Sequence, residues 1–319
     1  RIQKAENDFT IDLSTEEVLI QEYDPQEWHM GGGMFFDNQG FMYLSFGDGG
    51  GSEGVDQYNS AQQIHKRFWG GLIRIDVDND PSRSHNIKRS ITEYPGKPGN
   101  FPPTFNQGYM IPNDNPFNEE DGSVLEEFYA LGLRSPHRVT YDPVNEEIWA
   151  GDVGHGSREE ITIIKKGGNA QWPYREGKFL GHVNKPENLI GVDNPPIFDY
   201  TRDEGVSVIG GFVYRGEKWS SELDGRYIFG DFSSRIIWSL NPNTNEVSII
   251  ADLPRLSGDG KSGISSFATD LEGNVFALNL YGTNQGGGII YKLKKVEDLP
   301  AVIPEKLSET GAFKDLVNM

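Results

Sequence analysis

The chain has 319 residues, 39 of them glycine and 18 proline, with 36% hydrophobic residues, 12% aromatic residues and no cysteine. That mixture reads as many short strands joined by specific turns, not as a helical bundle, and the missing cysteine excludes a disulfide framework, a thiolate metal site and a haem-attachment motif. A formal charge of -19, from 48 acidic against 29 basic residues, argues against nucleic acid and anionic membrane as partners.

Taken in chain order, a three-strand unit recurs. Arg1 is not a translation start, and Arg1–Glu22 reads as the closing strands of a unit that precedes the first complete one. The first complete unit has strands over Gly33–Phe36, Phe41–Asp48 and Gly71–Val77, with a turn at Asp37–Gly40. The second has Arg138–Tyr141, Ile148–Asp152 and Glu160–Ile164, with a turn at Asp142–Glu146. The third has Gly210–Arg215, Arg226–Asp231 and Arg235–Leu240, and the fourth Ile264–Thr269, Asn274–Leu280 and Gly288–Leu293. Alternation within these strands is partial, so both faces of each sheet are expected to be covered, as in stacked propeller blades. Uneven loops between units point to a divergent propeller, with a β-sandwich as the alternative architecture. Asp80–Met110 and Lys178–Pro196 read as surface excursions, and Lys295–Met319 loses strand character. No apolar run approaches the roughly 18 residues of a membrane span. The glycine clusters do not lead into helices, so no dinucleotide or phosphate loop is expected. The six histidines are scattered without helical spacing, which argues against zinc.

Six blocks in order carry a resemblance to a known family. They are His29–Gly51 with its His-x-Gly-Gly start and Gly-Asp-Gly-Gly loop, Gly70–Asp78 with Ile111–Phe117, and Tyr129–Pro143 with Gly-x-Arg-x-Pro. Ala150–Gly177 follows, with a Gly-rich loop, a Glu-Glu strand and a Gly-Gly-Asn-x-x-Trp turn, and then Ser207–Gly216 and Gly225–Leu240. Together they resemble the quinone-dependent glucose/sorbosone dehydrogenase family, and the Gly-Asp-Val-Gly wording is most similar to its hedgehog-interacting-protein-like branch. The resemblance implies an all-β, six-bladed propeller of the soluble quinoprotein glucose dehydrogenase type. Only four blades are complete here, so the N-terminal blades are expected on a segment outside these residues that completes the ring. Residues 1–295 are then propeller, and 296–319 a linker or the start of a further domain. Leu307–Phe313 is similar to linkers that precede c-type cytochrome domains, and a fused or separate cytochrome would be the electron acceptor.

The activity implied is oxidation of an aldose C1 hydroxyl to a lactone with pyrroloquinoline quinone and calcium, in a periplasmic or extracellular protein. His29, at the start of an inner strand, is the expected general base; by residue type alone it equally caps a turn. Arg134 is the expected cation toward the quinone, or else a partner for one of the many acids. Ser135 stands where the family commonly has asparagine, and Val153 where several of its enzymes place a polar side chain. Gly154 and His155 match the loop whose carbonyls hold the calcium, with Glu159 orienting that loop or a nearby cation, or else standing as an exposed acid. Asp48, near Asp56 and Asn59, either binds a second calcium or forms a tight Gly/Asp turn. Arg235 and Lys261 lie near the family's cofactor-binding basic positions, with Arg215 and Arg202 as compensating cations. Two other functions stay open: a non-catalytic, calcium-binding extracellular propeller for a protein or carbohydrate partner, and a calcium-centred lactone or ester hydrolase. A mouth filled by Trp28, Trp69 or Trp172 would favour the binding propeller.

Overall fold

The structure, a computed structural model, describes residues 3–4, 10–50, 56, 58–255, 262–281 and 287–295. The turns follow directly from side-chain chemistry. Asp37 Oδ1 accepts the amides of Gln39 and Phe41 while Gly40 N–H returns to the Asp37 carbonyl. Asp270 repeats this with Glu272, Asn274 and Gly273. An aspartate that satisfies its own turn makes Asp-x-x-Gly a local instruction to reverse the chain.

Those turns link antiparallel strands into four sheets. The first runs Met34–Phe36, Met42–Phe46, Gly71–Ile75 and Phe128–Leu131. The second runs Pro136–Asp142, Glu147–Asp152, Arg158–Ile164 and Phe198–Thr201. The third runs Val208–Val213, Tyr227–Asp231, Ile236–Leu240 and Val247–Asp252, and the fourth Gly263–Thr269, Val275–Tyr281 and Gly287–Lys292. The inner strand of the second sheet packs between those of the first and third, and that of the third also packs on the fourth. Sheets in series around neighbouring inner strands are propeller blades; a sandwich would set two sheets face to face.

Burial follows the same order. Tyr43, Leu72, Val139 and Ile148 fill the space between the first two blades. Trp149, Tyr200, Tyr227 and Phe229 fill the next interface, and Ile209, Ile228, Ile264 and Val275 the third. Gly71–Ile75 and Tyr227–Asp231 are buried along their whole length, the consequence of packing on both faces. Trp149 stacks on Tyr227 with ring centroids 4.5 Å apart, an arrangement worth about 0.5–1.5 kcal/mol beyond the area it buries.

Ile20–Gln21 pairs with Phe105–Asn106. One expectation needs correction. The excursion over 80–110 is not merely superficial, because its Ile91 and Tyr109 join the core against Ile73 and Phe128. An unexpected crossing also ties two blades together. Gly168–Asn169, from the loop after the second blade's third strand, pairs in parallel with Phe128–Leu131 of the first blade, and Val192–Asp193 pairs outside it.

Candidate active site

The first residues of the inner strands and the last residues of the second strands come together at one end. A cavity of about 670 Å³ opens there, lined by His29, Ser135, Val153, Ser207, Phe232 and Ser265 among others. Trp28 stands exposed on its wall, whereas Trp69 and Trp172 are buried. Among the described residues Trp28 lines the cavity and neither Trp69 nor Trp172 does.

His29 is held in a left-handed conformation, φ 58°, which a residue with a side chain adopts only when its surroundings impose it. Its carbonyl lies against Gly47, where an added Cβ would come within 1.8 Å of that oxygen and 2.9 Å of the Arg134 carbonyl. The imidazole Nδ1 is 2.6 Å from Asp48 Oδ1. A carboxylate only accepts, so Nδ1 carries the proton, and in the neutral imidazole Nε2 is then the acceptor. Asp48 is fully buried. It also accepts the amide of Gly50 at 2.9 Å and the Trp172 indole N–H at 2.7 Å. Its carboxylate thus orients His29. Asp56 is likewise engaged, with Ser60 and Ala61.

Arg134 is buried beside this pair. Its Nη1 donates to the Val153 carbonyl at 2.8 Å, and its guanidinium lies 5.3 Å from the centre of the Trp172 ring. Burial pulls its pKa down, while the negative field of Asp48, Asp152, Glu159 and Glu176 pulls it up. Its backbone N–H and that of Ser135 donate to Asp152 at 3.0 and 2.6 Å, which sets the strand entrance. Ser135 and Val153 both reach the cavity wall.

The loop at Gly154 and His155 is clamped from beneath. Glu176 Oε1 accepts the amides of Gly156, Ser157 and Arg158 at 2.8, 2.8 and 3.1 Å, and its Oε2 bonds His182 at 2.7 Å. Burial alone would raise this carboxyl, but those donors hold it down at about 2. Gly154 has no room for a side chain, since a Cβ would fall 1.7 Å from the Arg158 carbonyl oxygen. Glu159 is buried, pairs with Arg202, and accepts the Val208 amide at 2.8 Å. Burial nevertheless pushes its carboxyl up to about 8. It thus joins the second blade to the third instead of facing the cavity.

Of the remaining expected cations, Arg215 lies apart from the cavity. Arg215 is at the opposite end of its blade, with Nη2 2.6 Å from Asp142; the strand enters at the mouth near Val208 and carries it away. Arg235 is buried and gives Nη1 to the Ser262 carbonyl at 2.8 Å. Lys261 lies outside the described residues. Arg138, which the sequence reading placed only as a strand start, lines the cavity and donates to the Ser265 carbonyl at 3.1 and 3.2 Å. Among the described residues, no carboxylate lies within ion-pair distance of Arg134, Arg138 or Arg235, and Nε of both Arg134 and Arg235 is buried without a partner. Arg138 on the cavity wall, without a carboxylate partner among the described residues, fits an anionic ligand such as a polycarboxylate quinone. No cluster of three acidic or histidine side chains that could hold a metal occurs among the described residues. Calcium here would depend on backbone carbonyls.

Residues 104–288 match the glucose/sorbosone dehydrogenase family. The chain belongs to that family. As a glucose/sorbosone dehydrogenase family member it is 33% identical to the HIPL1 protein of Arabidopsis thaliana, over 80% of this chain and 38% of that protein. It is 27% identical to the Hedgehog-interacting protein of Homo sapiens, over 70% of this chain and 26% of that protein. To the aldose sugar dehydrogenase YliI of Escherichia coli it is 27% identical, over 83% of this chain and 60% of that protein. The chain thus spans well under two thirds of these relatives. The crystal structure of the soluble aldose sugar dehydrogenase from Escherichia coli superposes with a TM-score of 0.55 at 22% identity, covering 82% of this chain and 63% of that one. The four sheets are blades of that family's propeller.

Proposed function

We propose that the mouth oxidises the C1 hydroxyl of an aldose or related sugar, with pyrroloquinoline quinone and calcium bound there. The observation that carries this reading is His29 on the cavity wall, its Nδ1–H bound to buried Asp48 and Nε2 left as an acceptor. Such a pair takes a proton in a fixed direction, and the fixed direction is what general-base catalysis needs. Pyrroloquinoline quinone, when bound, would supply the two-electron acceptor for C1, while His29 Nε2 would take the hydroxyl proton so that the sugar leaves as a lactone. Arg134, Arg138 and Arg235 supply the positive field that holds a polycarboxylate in the mouth. Val153 contributes shape only. Gly154 and His155 offer carbonyls to the calcium from the loop that Glu176 clamps.

The family assignment and the aldose sugar dehydrogenase relative support an oxidoreductase. No helix among the described residues is long and apolar enough to cross a membrane, and a periplasmic or extracellular place follows the same reading. So do further blades beyond these residues and a c-type cytochrome acceptor; Leu307–Phe313 lies outside the described residues. A second reading rests on the apolar stretch of wall at Val153, Ile209, Phe232 and Leu280 and on the Hedgehog-interacting protein relative: a propeller that binds a partner without catalysis.

Reconstitution with pyrroloquinoline quinone and calcium, followed by dye reduction over a panel of aldoses, separates the two. Turnover that falls at least about a hundredfold in His29→Ala is the expected result. A folded protein that binds no quinone by calorimetry supports the partner-binding propeller.

A further inference from the structure

Trp172 lies behind the mouth, against Asp48 and Arg134, on the loop that Gly168–Asn169 stitches into the first blade. Its backbone is fixed on both sides, with its N–H donating to the Gly132 carbonyl at 2.9 Å and its carbonyl accepting Gln62 Nε2 at 2.7 Å. The ring is buried. The indole N–H donates to Asp48 Oδ2, the ring face lies along the Arg134 guanidinium, and ring centroids of His182 and His155 stand 5.7 and 6.1 Å away. One side chain thus touches the base's carboxylate, the buried cation and the clamped loop, which come from different stretches of chain.

The arrangement at Asp48 makes this contact matter. Gly50 and His29 both bond Oδ1, so among the described residues Trp172 is the donor that holds Oδ2. The terminal torsion of an aspartate is broad and weakly held by its own rotamer preference. A buried oxygen stripped of its donor costs more than the bond was worth. We propose that Trp172 is a positioning residue: its N–H locks the Asp48 carboxylate in the plane that keeps His29 in the Nδ1–H form, and its ring holds the Arg134 guanidinium beside that pair. The proposal rests on His29 being the base.

The test uses Trp172→Phe, which keeps an aromatic face and removes the N–H. In protein carrying ¹⁵N-histidine, without cofactor, the expected spectrum shows His29 moving from the Nδ1–H form to a mixture of tautomers. In the quinone- and calcium-loaded variant kcat is expected to fall about tenfold, the worth of one hydrogen bond, with KM changed less than about twofold. An unchanged His29 tautomer together with unchanged kcat overturns the proposal and leaves Trp172 as a space-filling ring. Should Trp172→Phe not fold, His29→Ala decides, because that side chain is partly exposed. Its expected effect is a shift of the Trp172 indole proton resonance, relayed through Asp48, and an unmoved resonance overturns the coupling. If no aldose is oxidised by the wild type, the sugar-oxidation reading fails while both spectra still report on Trp172.

Discussion

Glu176 performs its work through charge, and pH is therefore the probe for it. Its folded carboxyl is depressed from 4.5 to about 2, so its stabilisation is fully present above 4.5 and is lost as pH falls toward 2. Amide exchange at Gly156, Ser157 and Arg158 should accelerate relative to the rest of the second blade across that window. Glu176→Gln, whose neutral oxygen accepts more weakly, should cost about 2 kcal/mol in urea unfolding at pH 7 and remove the acid-induced loosening. His29 and Asp48 were each singled out in the sequence, but their pairing follows only from the observed strand register. Met34 pairs with Leu44, and the same register carried outward places residue 29 opposite 49, one position from Asp48. The bonds of Asp48 to Trp172 and of Glu176 to the Gly156–Arg158 amides were not legible, because neither lies on a strand register that could be extended. Arg215 misled for a simpler reason. At about 3.3 Å per residue, the strand that enters the mouth at Val208 has carried residue 215 about 23 Å away.

The blades were readable because their instructions are local. Asp-x-x-Gly turns and strands apolar on both faces need no distant partner, and the twelve strands of the four units fall within a few residues of where those signals put them. The largest shift is at Val208–Val213, where a bulge between Ile209 and Phe212 breaks the register and Arg215 leaves the sheet for Asp142. Packing between blades supplies the stability. Trp149 is fully buried between the second and third blades, so Trp149→Ala should lower unfolding free energy by about 3–5 kcal/mol, measured by urea titration with the slope unchanged. Leu271, fully exposed on the fourth blade's turn, sets the control: Leu271→Ser should fall within about 0.5 kcal/mol of wild type.

At the scale of the molecule, the first and fourth blades both expose apolar side chains. Met34 and Phe36 are exposed on the first blade, Leu280 and Ile290 on the fourth. Such surfaces associate, while a net charge of -19 opposes association. Salt decides the balance, because about 0.1 M shortens the reach of that repulsion to about 10 Å. Light scattering on the 319-residue chain should show mass increasing with added salt, and the double variant Met34→Lys, Ile290→Lys should stay monomeric; a salt-independent monomer in the wild type would contradict this. The parallel crossing of Gly168–Asn169 onto Phe128–Leu131 bears on how such a protein is recombined. Propellers invite chimaeras in which single blades are traded between relatives. Here the histidine and its carboxylate travel with the first blade, while the indole and the loop clamp travel with the second. A crossover placed between them would deliver a ring of intact sheets with a mismatched mouth, and the smallest inheritable cassette for this chemistry is the pair of blades together.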